Sequence, residues 1–293
     1  MRRASSPEGP ERATRLVVSA DDFGLAEAVN EGIVHAHRGG IVTAASLIAN
    51  GAAFDDAVRR ARAVPSLDIG VHLTLVEERP LLGARAVPSL VGRDGRFHPS
   101  AAHFTWRALR GRIDPGDVRR ELAAQCERVV AAGVAPSHLD SHQHTHVLPV
   151  VLDAVLELGR QLGVTAVRVP REPAPLRRVG AAPLRRVGES LVLGRLARRV
   201  ARATRGCDGL AGFLEGGRLD QPRLLGVIER LPRGTWELMT HPGSAHPGPA
   251  YAHWGYHWRA ELDALVDADV AAAVRRRGIE LTSFRALAAQ VPA

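Results

Sequence analysis

From Arg15 onward, short apolar runs alternate with stretches whose apolar residues recur at every third or fourth position. Leu16, Val17 and Val18 lie in the first run, Arg15–Ala20. It ends on Asp21-Asp22-Phe23-Gly24 and predicts a buried strand followed by a turn. Glu27–Arg38 has helical spacing at Val29, Ile33 and Val34 and stops at Gly39-Gly40. A strand over Val42–Asn50, a helix over Phe54–Ala63 and a strand over Leu67–Leu75 follow. In the last of these, Gly70, His72 and Thr74 share one side and Val71, Leu73 and Leu75 the other, a pattern that suits a parallel strand covered on both faces. The pattern then predicts helix Asp117–Ala132, a His-rich strand from Ser137, helix Pro149–Leu162, strand Val164–Val169 and helix Pro222–Leu231. Strand Thr235–Thr240, helix Arg259–Arg277 and strand Ile279–Phe284 finish the chain.

Strands alternating with helices imply βαβ units and a parallel sheet. Six or seven such units in one chain predict a (β/α) barrel, distorted or with fewer than eight regular units. Two stretches break the rhythm and read as loop insertions, one at about 77–113 with His98, His103 and Trp106, the other at about 174–217. Residues 1–14 read as a disordered tail and 15–293 as one barrel domain.

Composition narrows the chemistry. The chain of 293 residues is long enough to bury a full core. No apolar run reaches the 18 or so residues of a membrane span and the N-terminus is polar, so the expectation is a cytoplasmic protein. Cys126 and Cys207 lie far apart, which supports neither a disulfide framework nor a thiolate zinc site. All 39 basic residues are arginine. The absence of lysine excludes Schiff-base chemistry and a Walker-type phosphate loop. The net charge of +8 is concentrated in Arg177–Arg205, with nine arginines against one acid, Glu189. Leu191, Leu193, Leu196 and Val200 make this stretch a basic amphipathic helix, either a solvated face or one that meets an anionic membrane surface. No aromatic interleaving accompanies the charge, so nucleic acid is not expected. Ala174–Gly180 recurs unchanged as Ala182–Gly188, a local expansion too short for a solenoid.

The densest chemistry lies in Ser137–His146, with one carboxylate and four imidazoles. Strand alternation would put Asp140, His142, His144 and His146 on one side, as ligands of a Zn²⁺-like ion. The alternative is a solvated His-rich turn or a set of core histidines. A barrel gathers its active site at the C-terminal ends of its strands. Asp21-Asp22, His72, Asp140 with His142, Arg168 and His241 each close an apolar run there, although Asp21-Asp22 could also cap the following helix. Gly243–Trp258 holds both tyrosines and two of the four tryptophans, Trp254 and Trp258. Those rings could stack on a sugar or simply pack the loop down.

Ala20–Gly24, Gly70–Leu73, His138–His144 and Thr240-His241-Pro242 resemble, in order and spacing, the motifs of YdjC-like carbohydrate deacetylases. Val167–Pro173 is similar to the hopanoid-biosynthesis-associated branch of that family. The resemblance implies a (β/α) barrel that removes acetyl groups from N-acetylated amino sugars with one divalent metal ion, Mg or Zn. Carried over by position, Asp22, His72 and His142 would bind the metal, Asp21 would be the general base, and His241 the acid or oxyanion stabiliser. Asp140, His144, Arg168 and Trp254 would support the ligands or the substrate. The implied partner is an N-acetylated sugar or glycolipid, with peripheral contact to the inner face of an anionic membrane and a homo-oligomer both open. A chitooligosaccharide deacetylase, a metal phosphoesterase and a non-catalytic sugar-binding barrel stay open as alternatives.

Overall fold

In the computed structural model, residues 13–173 and 183–290 are described. Nearly all of the expected tail and the first copy of the tandem repeat lie outside them. The sheet is built on β1 (Arg15–Phe23), whose residues are almost all buried. In order from one edge it runs β5 (Ala166–Val167), β4 (His138–Ser141), β3 (Asp68–Leu73), β2 (Ala44–Leu47), β1, β7 (Thr235–Thr240) and β6 (Gly209–Ala211). Every pairing is parallel. β8 (Glu280–Thr282) pairs with the first half of β1, opposite Arg15–Val17. The result is a curled, barrel-like α/β sheet, as the alternating pattern predicts.

No strand pairing joins β5 to β6 among the described residues. The gap is bridged irregularly. Leu210 N donates to Arg171 O at 3.1 Å, and the Glu172 carboxylate accepts from Gly212 N and Leu214 N, both at 3.0 Å.

The helices are α1 (Glu27–Gly39), α2 (Phe54–Ala63), α3 (Ala101–Leu109), α4 (Pro115–Ala131), α5 (Pro149–Leu162) and α6 (Leu184–Ala203). After β6 come α7 (Gln221–Arg230), α8 (Trp258–Leu265), α9 (Ala268–Arg276) and α10 (Phe284–Ala289). Their boundaries follow local chemistry. α4 starts with Asp114 accepting from Gly116 N and with Pro115 in the first turn, and α5 ends on left-handed Gly163. Both cysteines are free and buried, Cys126 within α4.

Four expectations need correction. The helix expected over Arg259–Arg277 is two, because the Asp267 side chain accepts from Asp269 N and Val270 N and so starts a new helix there. The strand expected over Ile279–Phe284 is only β8, since Ser283 caps α10. The two insertions carry more regular structure than expected: 77–113 contains α3, and 174–217 contains, besides the expected amphipathic helix α6, the sheet strand β6. Finally, the His-rich strand ends at Ser141. Gln143 and His144 adopt left-handed backbone (φ 52° and 55°) in a tight 3₁₀ turn over His142–Val147. Asp140, His142, His144 and His146 therefore do not share one strand face.

Candidate active site

Adjacent strand residues point to opposite faces, so Asp21 and Asp22 would ordinarily diverge. Here the β1–β2 register shifts between Ala20 and Phe23, and Asp22 takes a left-handed φ of 66°. For a residue that is not glycine this is sparsely populated backbone, and such strain collects at functional sites. The bulge allows both carboxylates to reach the C-terminal end of the sheet, where both are buried.

Asp22 faces two imidazoles. His142 Nδ1 lies 3.2 Å and His72 Nε2 3.6 Å from its Oδ1. Both carboxylate oxygens are buried without a hydrogen-bond partner. Burial alone would raise the Asp22 pKa; His142 and His72 outweigh it and hold the group at about 2.

The far side of each imidazole is tied to a carboxylate. His72 Nδ1 bonds Asp140 Oδ1 at 2.8 Å, and His142 Nε2 bonds Glu77 Oε2 at 2.9 Å. A carboxylate acceptor keeps the proton on the nitrogen it faces, so in the neutral ring the opposite nitrogen presents its lone pair toward Asp22. Burial opposes charge on His142, but between Asp22 and Glu77 its pKa is pushed up to about 10, so the nitrogen facing Asp22 carries a proton that a bound metal ion would displace.

Beneath the imidazoles lies Arg168, fully buried. Its Nη1 and Nη2 donate to the two oxygens of Asp21, each at 2.6 Å, and its Nε donates to Glu237 Oε1 at 2.8 Å. Nη2 also lies 2.7 Å from Asp140 Oδ2. Burial penalises the guanidinium, and Asp140, Asp21 and Glu237 outweigh that and keep it charged. Burial raises Glu237 to about 7 against the pull of Arg168. The bidentate bond leaves Asp21 further lone pairs beside His72 and Asp140, with which it forms a second close group of ligand-type atoms.

Trp254 packs over His142 with ring centroids 4.9 Å apart. Its turn, Pro249–Trp254, is fastened by two consecutive carboxylates. Glu77 Oε1 accepts from His253 Nε2 at 2.9 Å and Trp254 Nε1 at 3.2 Å, and Glu78 accepts from the Tyr251 hydroxyl at 3.1 Å. Glu77 itself has left-handed backbone, φ 65°. A cavity of about 480 Å³ opens beside this latch, lined by Glu78, Arg96, Phe97 and Tyr251 among others.

His241 closes β7. Its backbone N–H donates to Glu261 Oε2 at 2.6 Å, its ring packs on Tyr256 at 4.6 Å, and its Nδ1 is buried without a hydrogen-bond partner, 4.0 Å from Glu261 Oε2. It adds to the positive surroundings of Asp22. His144 stands apart, against Phe213 and His146. His146 is tied to Ser141 Oγ at 2.7 Å and Arg168 O at 3.0 Å. His138 bonds Ser46 Oγ at 3.1 Å and stacks on Phe284 at 4.0 Å. Burial depresses His138 and His146 to about 4, so both are neutral core groups.

Asp22, His72 and His142 offer ligand atoms that all lie within 4.8 Å of one another, all buried. One carboxylate with two bare oxygens and two oriented imidazoles fits a divalent metal ion. The family described as YdjC-like protein matches residues 15–276. The chain belongs to this family.

Relatives of known name align over nearly all of the chain. A carbohydrate deacetylase of Brevibacillus brevis is 32% identical over 278 residues, covering 93% of this chain and 99% of the relative. A human carbohydrate deacetylase is 35% identical, with 95% and 92% covered, and a Klebsiella pneumoniae chitooligosaccharide deacetylase 32%, with 92% and 98%. A crystal structure from Enterococcus faecalis, under a provisional cellobiose-phosphate cleavage name, superposes with a TM-score of 0.73 at 26% identity, covering 94% and 99% of the two chains.

In this YdjC-like protein the structure brings Asp21, Asp22, His72, Asp140, His142, Arg168 and Trp254 into one connected cluster, with His241 at its side. Sequence reasoning missed Glu77 and Glu237. Glu237 carried a readable signal, a carboxylate in the middle of the buried strand Thr235–Thr240. Glu77 did not, because its partners come from distant loops.

Proposed function

We propose that this YdjC-like protein is a metal-dependent hydrolase that removes the N-acetyl group from an N-acetylglucosamine-containing glycoside, with a glycosylated hopanoid lipid as its substrate. The observation that carries the reading is Asp22, fully buried with both oxygens unbonded and facing His72 and His142. A buried carboxylate whose oxygens accept no hydrogen bond, beside two imidazoles, is a donor set that a bound cation would complete. The deacetylase names of the relatives supply the reaction class.

Asp22, His72 and His142 would hold the ion, zinc or magnesium. Such an ion supplies a Lewis acid that polarises the acetyl carbonyl. The chain's own groups do the rest. Asp21, oriented by the bidentate hydrogen bonds of Arg168, is placed to take the proton of the attacking water. His241, buried beside Tyr256 with no hydrogen bond at Nδ1, is placed to stabilise the tetrahedral intermediate or protonate the leaving amine. Trp254 and Tyr251 offer aromatic faces to a sugar ring and, with the turn that carries them, exclude water.

The hopanoid aglycone is supported by the Val167–Pro173 resemblance and by the apolar residues of the two insertions that stay exposed, such as Leu82, Trp106, Leu191 and Val192. The substrate would be met on the cytoplasmic side of a membrane. Acetate release from N-acetylglucosaminyl hopanoid and from chitobiose tests this. A higher kcat/KM for the glycolipid supports the reading, a higher value for chitobiose makes this an oligosaccharide deacetylase, and no acetate from either removes the deacetylase reading.

A further inference from the structure

Eight large apolar side chains stand exposed among the described residues, and five of them belong to α3 and α6. Leu109 is 83% exposed, Leu184 89% and Val192 59%, with Trp106 and Leu191 nearly half exposed. Chance scatter would spread such residues over all the described helices, and a concentration of exposed apolar side chains marks a contact surface.

The two helices are neighbours of the same element. Both pack against the His142–Val147 turn, and Gln143 Oε1 in that turn accepts from Ala101 N, at the start of α3, at 2.8 Å. The turn carries the candidate ligand His142, so both helices flank the candidate active site. Their charge is one-sided. Arg195, Arg198, Arg199 and Arg202 are exposed on α6, whose one acid, Glu189, is occupied by Arg185 at 3.3 Å. Beside α3, Arg110 and Arg112 stand over the Trp106 ring, 4.1 and 5.6 Å from its centroid.

We propose that the outer faces of α3 and α6 dock this protein on an anionic lipid bilayer, with the candidate active site at the membrane side of the molecule. A bilayer interface rewards every part of this surface. Leucine and valine enter the acyl boundary, tryptophan sits at headgroup depth, and arginine pairs with anionic lipid phosphates. A merely solvated basic helix would have no use for exposed leucines. Nucleic acid would reward the arginines but not Leu109, Leu184 or Val192. The inference goes beyond the deacetylase reading and does not need it: vesicle binding without acetate release would sink only the latter.

The test is partition of the full chain onto vesicles of pure phosphatidylcholine and of phosphatidylcholine mixed with phosphatidylglycerol. Binding to the anionic vesicles alone is expected, falling with salt. Leu109→Ser/Leu184→Ser/Leu191→Ser and Arg195→Glu/Arg198→Glu/Arg199→Glu should each lower partition roughly tenfold or more without changing the melting temperature. Nitroxide-labelled lipid should quench fluorescence in the wild type, and less in Trp106→Phe. Equal partition onto both vesicle types, apolar variants that bind like the wild type, or binding to single-stranded nucleic acid in place of vesicles would overturn the proposal. The quenching contrast is read on stably folded protein and decides the matter if a triple variant does not fold.

Discussion

His72 bonds Asp140 through Nδ1 at 2.8 Å, and this contact turns its Nε2 toward Asp22, 3.6 Å away. The orientation is fixed from behind, because Asp140 is itself held by Ser46 Oγ at 2.9 Å and by Arg168 Nη2 at 2.7 Å. Asp140→Asn keeps the shape but removes the charge that places the proton on Nδ1. Metal affinity should fall by about 10- to 100-fold, read by titration against a competing chelator. Affinity equal to the wild type would mean that Asp140 does not set the tautomer.

Arg168 is the buried cation shared by Asp21, Asp140 and Glu237. Arg168→Met leaves buried carboxylates without their cation and should cost on the order of 3–5 kcal/mol in denaturant unfolding. Arg168→Lys should not rescue it, since one ammonium cannot reproduce the planar fork that meets Asp21 at both oxygens. A lysine variant as stable as the wild type would contradict this.

Glu77 links His142 to Trp254 and His253. Glu77→Gln should therefore do two things together: weaken metal binding and loosen the Pro249–Trp254 turn. Acrylamide quenching of tryptophan fluorescence should increase in the same variant that needs more metal to saturate. Loss of one property without the other would show that the latch and the ligand are independent.

The barrel was readable because most strands are apolar runs closed by a polar residue, and Asp21, Asp22, His72, His142, Arg168 and His241 were found that way. Where the reading failed, long-range contacts had overridden local pattern. The strand alternation expected past Ser141 breaks because Gln143 and His144 enter left-handed backbone, fixed by contacts such as Gln143 to Ala101 and His144 to Phe213. β6 is three residues long and lies beside an Arg-rich helix, too short to show a period. Glu77 follows an ordinary apolar strand, and its role depends on loops more than 170 residues away. The division between α8 and α9 was legible after all, in the capping sequence Asp267-Ala268-Asp269.

His138 and His146 give the pH dependence a definite sign. Each has a folded pKa of about 4 against an ordinary value of 6.5, because burial disfavours the charged ring. As pH falls below 6.5 the unfolded chain takes up protons that the folded chain refuses. Their contribution is complete above pH 6.5 and is lost down to about 4. Glu172 and Glu237, raised to about 7 by burial, act in the opposite direction between 7 and the ordinary carboxylate value of 4.5. The useful reading is thus the difference between the wild type and His138→Gln, in chelator. That stability gap should shrink as pH drops from 6.5 to 4, by up to about 1.4 kcal/mol per unit. A gap independent of pH would contradict a neutral, buried His138.

The central claim is that Asp22, His72 and His142 hold the ion on which sugar deacetylation depends. Its most direct measurement is metal stoichiometry paired with acetate release on chelator-stripped, reloaded protein. The wild type should take up one equivalent of divalent metal and regain acetate release from an N-acetylglucosaminyl substrate in proportion. Asp22→Ala, His72→Ala and His142→Ala should take up none, while Asp21→Asn should bind the ion and release no acetate. Stoichiometric metal retained in His72→Ala and His142→Ala, or full acetate release from stripped protein, would contradict the account.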